Sequence, residues 1–135
     1  MMRQRITRWI MAGCGAGLLQ GGVAAMAGEQ AWTAPAAEKA KKNPVAHQAG
    51  LEEGKKVFEL NCQVCHGPAG KGDGPAGAVL NPKPRDLSSR ELQAETDGEL
   101  FWKIGTGRGP MPPWQMLPEK DRWSVVHYIR TLAKK

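Results

Sequence analysis

Cys62-Gln63-Val64-Cys65-His66 places two thiols and an imidazole within five consecutive residues. On a helical turn, thiols three residues apart share roughly one face, so both can reach one flat ligand. His66, next to Cys65 and four residues after Cys62, can point at the centre of that ligand from the same side. C-x-x-C-H is the attachment signature of c-type haem, with two thioether bonds and one axial ligand to iron. Two rival chemistries share the Cys-x-x-Cys pair. A redox dithiol wants a βαβ context, and no segment of this chain alternates like a strand. A structural zinc wants two further Cys or His ligands, and the chain offers only Cys14, His47 and His127 besides the motif.

A histidine-ligated haem iron has a second axial face. Downstream of the N-terminal segment there are two methionines, Met111 and Met116. Met111 lies in Gly109-Pro110-Met111-Pro112-Pro113, a stiff loop that can hold a thioether at a fixed place. Met116 lies in Gln115-Met116-Leu117 and reads as a core or pocket methionine, a common use of this soft side chain. His127, inside a C-terminal helical pattern, reads as a packed or surface residue, and His47 lies in a polar leader. The expected ligand pair is His66 and Met111. Such a pair saturates the iron and raises its potential, leaving no position for oxygen, peroxide or substrate.

The elements that must position these groups follow from periodicity. Residues 49–65 predict a helix with Leu51, Gly54, Val57, Phe58 and Leu60 on one side and most of the charges on the other. Residues 67–83 are dense in Gly and Pro and predict irregular chain. A short helix is expected over 88–94. Thr96-Asp97-Gly98-Glu99 is a capping-box pattern opening a helix with Leu100, Phe101, Trp102 and Ile104, stopped by Gly105 and Gly107. Pro118 starts a last helix, acidic early and basic late, with Trp123, Val126, Ile129 and Leu132 at helical spacing. The expected fold is all-α: three to five helices with long loops wrapped around one covalently bound haem.

The N-terminus carries Arg3, Arg5 and Arg8, then 19 uncharged residues to Ala27, ending in Ala25-Met26-Ala27. This has the three parts of a secretory signal, so residues 1–27 are expected to be removed on export to the periplasm. An uncleaved anchor is the alternative, since the stretch approaches membrane-spanning length, and it would tether the chain to the periplasmic face of the inner membrane. Its five glycines weaken it as a permanent helix. Met11-Ala12-Gly13-Cys14 faintly resembles a lipoprotein box, with too short an apolar core before it. Residues 28–48, rich in Ala, Lys and Pro, predict a flexible leader, and residues 49–135 the folded domain. The whole chain has 19 Lys and Arg against 13 Asp and Glu. Without the three N-terminal arginines the excess is +3, with no basic cluster on a helix face, which argues against a nucleic-acid partner.

The chain resembles the class I cytochromes c, especially small bacterial single-haem members and the cytochrome c domains attached to haem–copper oxidases. The resemblance rests on Gly54-x-x-x-Phe58, Cys62–Gly67, Gly70-Lys71-Gly72-Asp73-Gly74-Pro75, Pro84-Arg85-Asp86-Leu87, Gly109-Pro110-Met111-Pro112 and residues 123–132. It implies a cytochrome c fold whose first and last helices cross closely, Gly54 and Phe58 meeting Val125 and Tyr128. It implies that Met111 is the methionine ligand. It also implies a proline carbonyl, Pro84 first and Pro82 second, accepting the other ring N–H of His66. Arg85, Trp102 and Trp114 are candidates to bind the haem propionates. The Lys71–Gly74 stretch reads as a loop-conformation requirement. The expected function is one-electron transfer between unidentified redox proteins, without catalytic residues. An open-site haem peroxidase or gas-binding protein and a subunit of a membrane oxidase or dehydrogenase are the alternatives.

Overall fold

The computed structural model describes residues 32–133, so Cys14 and the expected signal or anchor lie outside the described residues. Among the described residues there are six α-helices and no strand: α1 (Ala36–Lys39), α2 (His47–Asn61), α3 (Gln63–His66), α4 (Arg90–Gln93), α5 (Asp97–Thr106) and α6 (Glu119–Thr131). Three of these are single turns, and α2, α5 and α6 carry the fold. The all-α expectation holds. No described helix is long and apolar enough to cross a membrane.

The core is built where α2 crosses α6. Gly50, Gly54, Val57 and Phe58 form the buried side of α2, at the i, i+4, i+7, i+8 spacing of one helix face. Leu60, expected on that face, is 82% exposed; two residues past Phe58 at 100° each, it points the opposite way. Phe58 lies against Tyr128, ring centroids 5.1 Å apart, and Gly54 faces the main chain of Ser124 and Val125. The crossing implied by the family resemblance is thus present. Phe101 of α5 stacks on Trp123 of α6 at 3.9 Å.

Helix ends follow the local chemistry with two shifts. Thr96 caps α5, its hydroxyl accepting the Glu99 N–H at 3.1 Å. The helix passes through Gly105 and stops at Gly107, where φ is +62°. Gly105 is a packing glycine: a Cβ there would stand 2.9 Å from the Arg122 guanidinium. The first long helix starts at His47 and breaks at Cys62, whose φ of −111° separates α2 from α3.

Residues 32–48, expected as part of a flexible leader, pack against the domain. Ala34 is buried, and its N–H donates to Glu99 Oε1. Asn43 Nδ2 donates to the Trp123 carbonyl at 2.9 Å, and His127 Nε2 donates to the Val45 carbonyl at 2.8 Å. Each anchor meets a partner far away in sequence, so the segment shows no periodicity. His127, considered above as a ligand, is thereby committed to holding this segment.

One buried charge cluster ties the segment to α5. Lys103, 6% exposed, pairs with Glu95 at 2.7 Å and Glu99 at 3.3 Å, and Lys39 reaches Glu99 at 3.5 Å. Burial alone would raise the Glu99 carboxyl. Lys103, the Ala34 N–H and Lys39 outweigh it and hold the group below its ordinary 4.5. A carboxyl depressed on folding stabilises fully above its unfolded value, and loses that contribution as pH falls through the folded one. The stability advantage of wild type over Glu99→Gln is therefore expected to be full at pH 7 and to shrink steadily below about pH 4.5. Urea midpoints measured for both proteins from pH 7 to pH 3 check this; a difference independent of pH would contradict it.

Candidate functional site

The Cys62–His66 turn is fixed by its own helix and by the loop that follows. The N–H groups of Cys65 and His66 donate to the Cys62 carbonyl at 3.1 and 2.9 Å. A helix end leaves its last carbonyls without intrahelical partners. Here all four are supplied: Gly67 donates to Gln63, Ala76 to Val64, Gly74 to Cys65 and Gly72 to His66, at 2.8–3.1 Å. This explains the glycines of the loop. Gly72 has φ +78°, the conformational requirement expected of it. Gly74 is needed for space instead, since a Cβ there would lie 2.5 Å from the Val64 carbonyl oxygen and 2.6 Å from that of Gln63.

His66 Nδ1 lies 3.3 Å from the Arg85 carbonyl oxygen. A carbonyl only accepts, so Nδ1 carries the proton and Nε2 keeps its lone pair for a metal. Burial lowers the imidazole pKa below its ordinary 6.5, against a smaller upward pull from the Arg85 carbonyl, so the ring is held neutral. Pro84 and Pro82 were the expected acceptors, and the partner is one residue beyond Pro84. The Pro84 carbonyl is turned to the other strand of the loop, where it packs directly over Gly72.

Cys62 and Cys65 are both free and half-buried. Burial, with Cys65 nearby, pushes the Cys62 thiol up to about 12. A redox dithiol needs a depressed thiol pKa, so this pair is unlike one. Among the described residues no three His, Cys, Asp or Glu side chains gather as a metal cluster, which leaves the zinc reading without its ligand set. A neutral imidazole with a fixed tautomer, beside two unpaired thiols, fits a thioether-linked haem.

Met111 is held as the sequence suggested. Arg108 and Met111 exchange main-chain hydrogen bonds at 2.9 and 3.0 Å around Gly109, whose φ is +55°. The Met111–Pro113 main chain packs on Gly107, where a Cβ would lie 2.5–2.6 Å from it. Trp114 N–H donates to the Ile104 carbonyl at 3.1 Å. Met111, Trp114 and Cys62 all border the buried core cluster. Met116 is 73% exposed, a correction to its reading as a core or pocket residue: in the turn between Trp114 and α6 it is Leu117, not Met116, that packs against the core.

Of the propionate candidates, Trp102 is half-buried on α5. The Arg85 guanidinium already has an anion, with Nη1 at 2.8 Å from Glu95 Oε1. This Glu95 contact was not foreseen. Only the Glu99–Lys103 pair, an i, i+4 step within α5, was visible in the sequence; Glu95 precedes the helix cap, and no local pattern joins it to Arg85.

Comparison with known proteins agrees with the geometry. The cytochrome c family model matches residues 51–133. The chain is similar to cytochrome c6 of Cyanidium caldarium, 28% identical over 94 residues, covering 67% of this chain and 79% of that protein. Cytochrome c6 of Cladophora glomerata is 32% identical over 83 residues, covering 58% of this chain and 85% of that protein. Among solved structures, a chain of the Kuenenia stuttgartiensis reducing HAO-like protein complex superposes with a TM-score of 0.60 at 26% identity, over 67% of this chain. This chain spans about half the length of that one, 47%.

Proposed function

The chain belongs to the cytochrome c family, whose members carry electrons on covalently bound haem, and on that premise we propose that it is a periplasmic one-electron carrier with a single haem c. Residues 1–27 are its export signal. Cys62 and Cys65 would hold the haem through thioethers, His66 and Met111 would ligate its iron, and electrons would pass between redox protein partners. When bound, the haem supplies the Fe(III)/Fe(II) couple; the chain's own residues hold and tune it. His66 presents Nε2 because its Nδ1–H is committed to the Arg85 carbonyl. The four loop N–H groups keep the Cys62–His66 turn from rearranging. The Gly107–Pro113 loop offers a thioether from a fixed position, which suits a couple that must change oxidation state with little movement.

The observation that carries this reading is the coincidence, at one turn, of two free thiols and a neutral histidine with its tautomer fixed. The test uses protein purified from a periplasmic fraction of cells able to mature haem c. Wild type is expected to retain haem on a denaturing gel, to start at Gly28, and to show no spectral response to carbon monoxide once reduced. Cys62→Ala is expected to lose most of the haem stain. Immediate binding of carbon monoxide by wild type would replace the carrier reading with an open-site haem protein. A second reading is favoured by the similarity to a chain within a larger complex: the domain would serve as the cytochrome c subunit of a membrane oxidase or dehydrogenase. Finding the uncleaved N-terminus in the membrane fraction would select that reading.

A further inference from the structure

Arg85 is tied at both ends. Its carbonyl accepts His66 Nδ1–H at 3.3 Å, and its guanidinium is paired with Glu95 Oε1 at 2.8 Å. Glu95 is itself immobilised. Its other carboxylate oxygen meets the buried Lys103 at 2.7 Å, and its main-chain carbonyl accepts Arg130 Nη2 at 2.6 Å. Arg130 of α6 also binds Asp97 Oδ1 through Nε at 2.9 Å and the Gln93 carbonyl through Nη1 at 3.0 Å. Gln93 in turn donates to the carbonyls of Leu87 and Ile129. A continuous set of polar contacts therefore runs from α6, through Glu95 and Arg85, to the ring of His66.

We infer that Glu95 is a positioning residue for His66, acting through the Arg85 side chain to hold the Arg85 carbonyl on Nδ1–H; this rests on His66 being the haem ligand. At 3.3 Å that hydrogen bond already lies just beyond the usual N–H···O range, so little displacement is needed to lose it. The flanking main chain is pinned, with Leu87 N–H on the Gly70 carbonyl at 2.6 Å and Pro84 packed over Gly72. What remains free to turn is the Arg85 residue itself, and the Glu95 pair removes that freedom. A histidine donating Nδ1–H to a fixed carbonyl is a more basic ligand, which favours Fe(III). Loosening the carbonyl raises the reduction potential.

The sign of the shift separates positioning from charge. If Glu95 and Arg85 acted only through space, removing the anion would raise the potential and removing the cation would lower it. An Arg85 that neutralised a propionate would likewise lower the potential on removal. If they act as a clamp, both removals raise it. The experiment measures midpoint potentials of haem-loaded wild type, Glu95→Gln, Arg85→Met and Arg85→Lys, with the His66 Nδ1–H exchange rate followed by NMR in the reduced state. Upward shifts in both Glu95→Gln and Arg85→Met are expected, with faster exchange in each, and Arg85→Lys close to wild type. Shifts of opposite sign, or none in Arg85→Met, would overturn the inference. Arg85→Met decides alone should Glu95→Gln fail to fold, because the Arg85 side chain is 44% exposed and lies outside the buried core. Wild type lacking covalent haem would overturn the proposed function as well, whereas loaded protein with opposite shifts overturns the clamp only.

Discussion

Met111→Ala is expected to open the iron site. The oxidised protein should lose the weak long-wavelength band of methionine–iron ligation, the reduced protein should bind carbon monoxide, and the potential should fall. The fall is expected on the order of a few tenths of a volt, because axial ligands move haem potentials over about 0.8 V. Met116→Ala should do none of this. The two methionines are only five residues apart, yet their surroundings differ in kind. Met111 sits inside a two-way main-chain clamp with Arg108 and borders the core, whereas Met116 is 73% exposed. A thioether must be held in place to compete with water for the iron, and only Met111 has the restraints to do so. Spectra, carbon monoxide titration and potentiometry on the two variants check the assignment. An intact band in Met111→Ala together with its loss in Met116→Ala would transfer the ligand role to Met116.

What was legible in the sequence was chemistry carried by neighbouring residues. The capping pattern at Thr96–Glu99, the proline start and apolar stripe of the last helix, and the stiff loop around Met111 each depend on a few adjacent positions, and each stands where expected. What was hidden depends on partners distant in the chain. Residues 32–48 look like leader by composition, and contacts with distant residues reveal them as part of the domain: Ala34 and Lys39 with Glu99, Asn43 with Trp123 and Val45 with His127. The acceptor for His66 fell on Arg85 and not on Pro84, because the carbonyl's direction is decided by how closely Pro84 approaches Gly72. Nothing in the sequence singled out Glu95; its role depends on Arg85 and Lys103 being brought to it by the fold.

The fold's most sensitive single position is expected to be Gly54. Replacing a helical glycine by alanine ordinarily gains up to about 1 kcal/mol from propensity, so the sign of Gly54→Ala is decided by space. The added methyl would run into the Ser124 carbonyl and lie 3.1 Å from the Val125 nitrogen. These are main-chain atoms of α6, fixed in its hydrogen-bond ladder, and they yield only if the two helices separate. Separation would pull Phe58 from Tyr128 and loosen the most buried part of the core, where Phe58, Val125 and Val126 are almost wholly inaccessible. Overpacking of this kind costs about 3 kcal/mol or more when nothing can move aside, a large share of the roughly 5–15 kcal/mol that holds a domain together. Gly50→Ala provides the comparison on the same helix face. Its methyl would meet the His127 ring at 2.6 Å and Val45 at 3.0 Å, but these are side-chain atoms, which can give way by loosening the His127–Val45 hydrogen bond, and a smaller loss of about 1–2 kcal/mol is expected. Urea denaturation of the haem-loaded variants measures both. Gly54→Ala should lose about 3 kcal/mol or more and Gly50→Ala clearly less, and equal, mild losses would mean that α2 and α6 do not need glycine at their crossing.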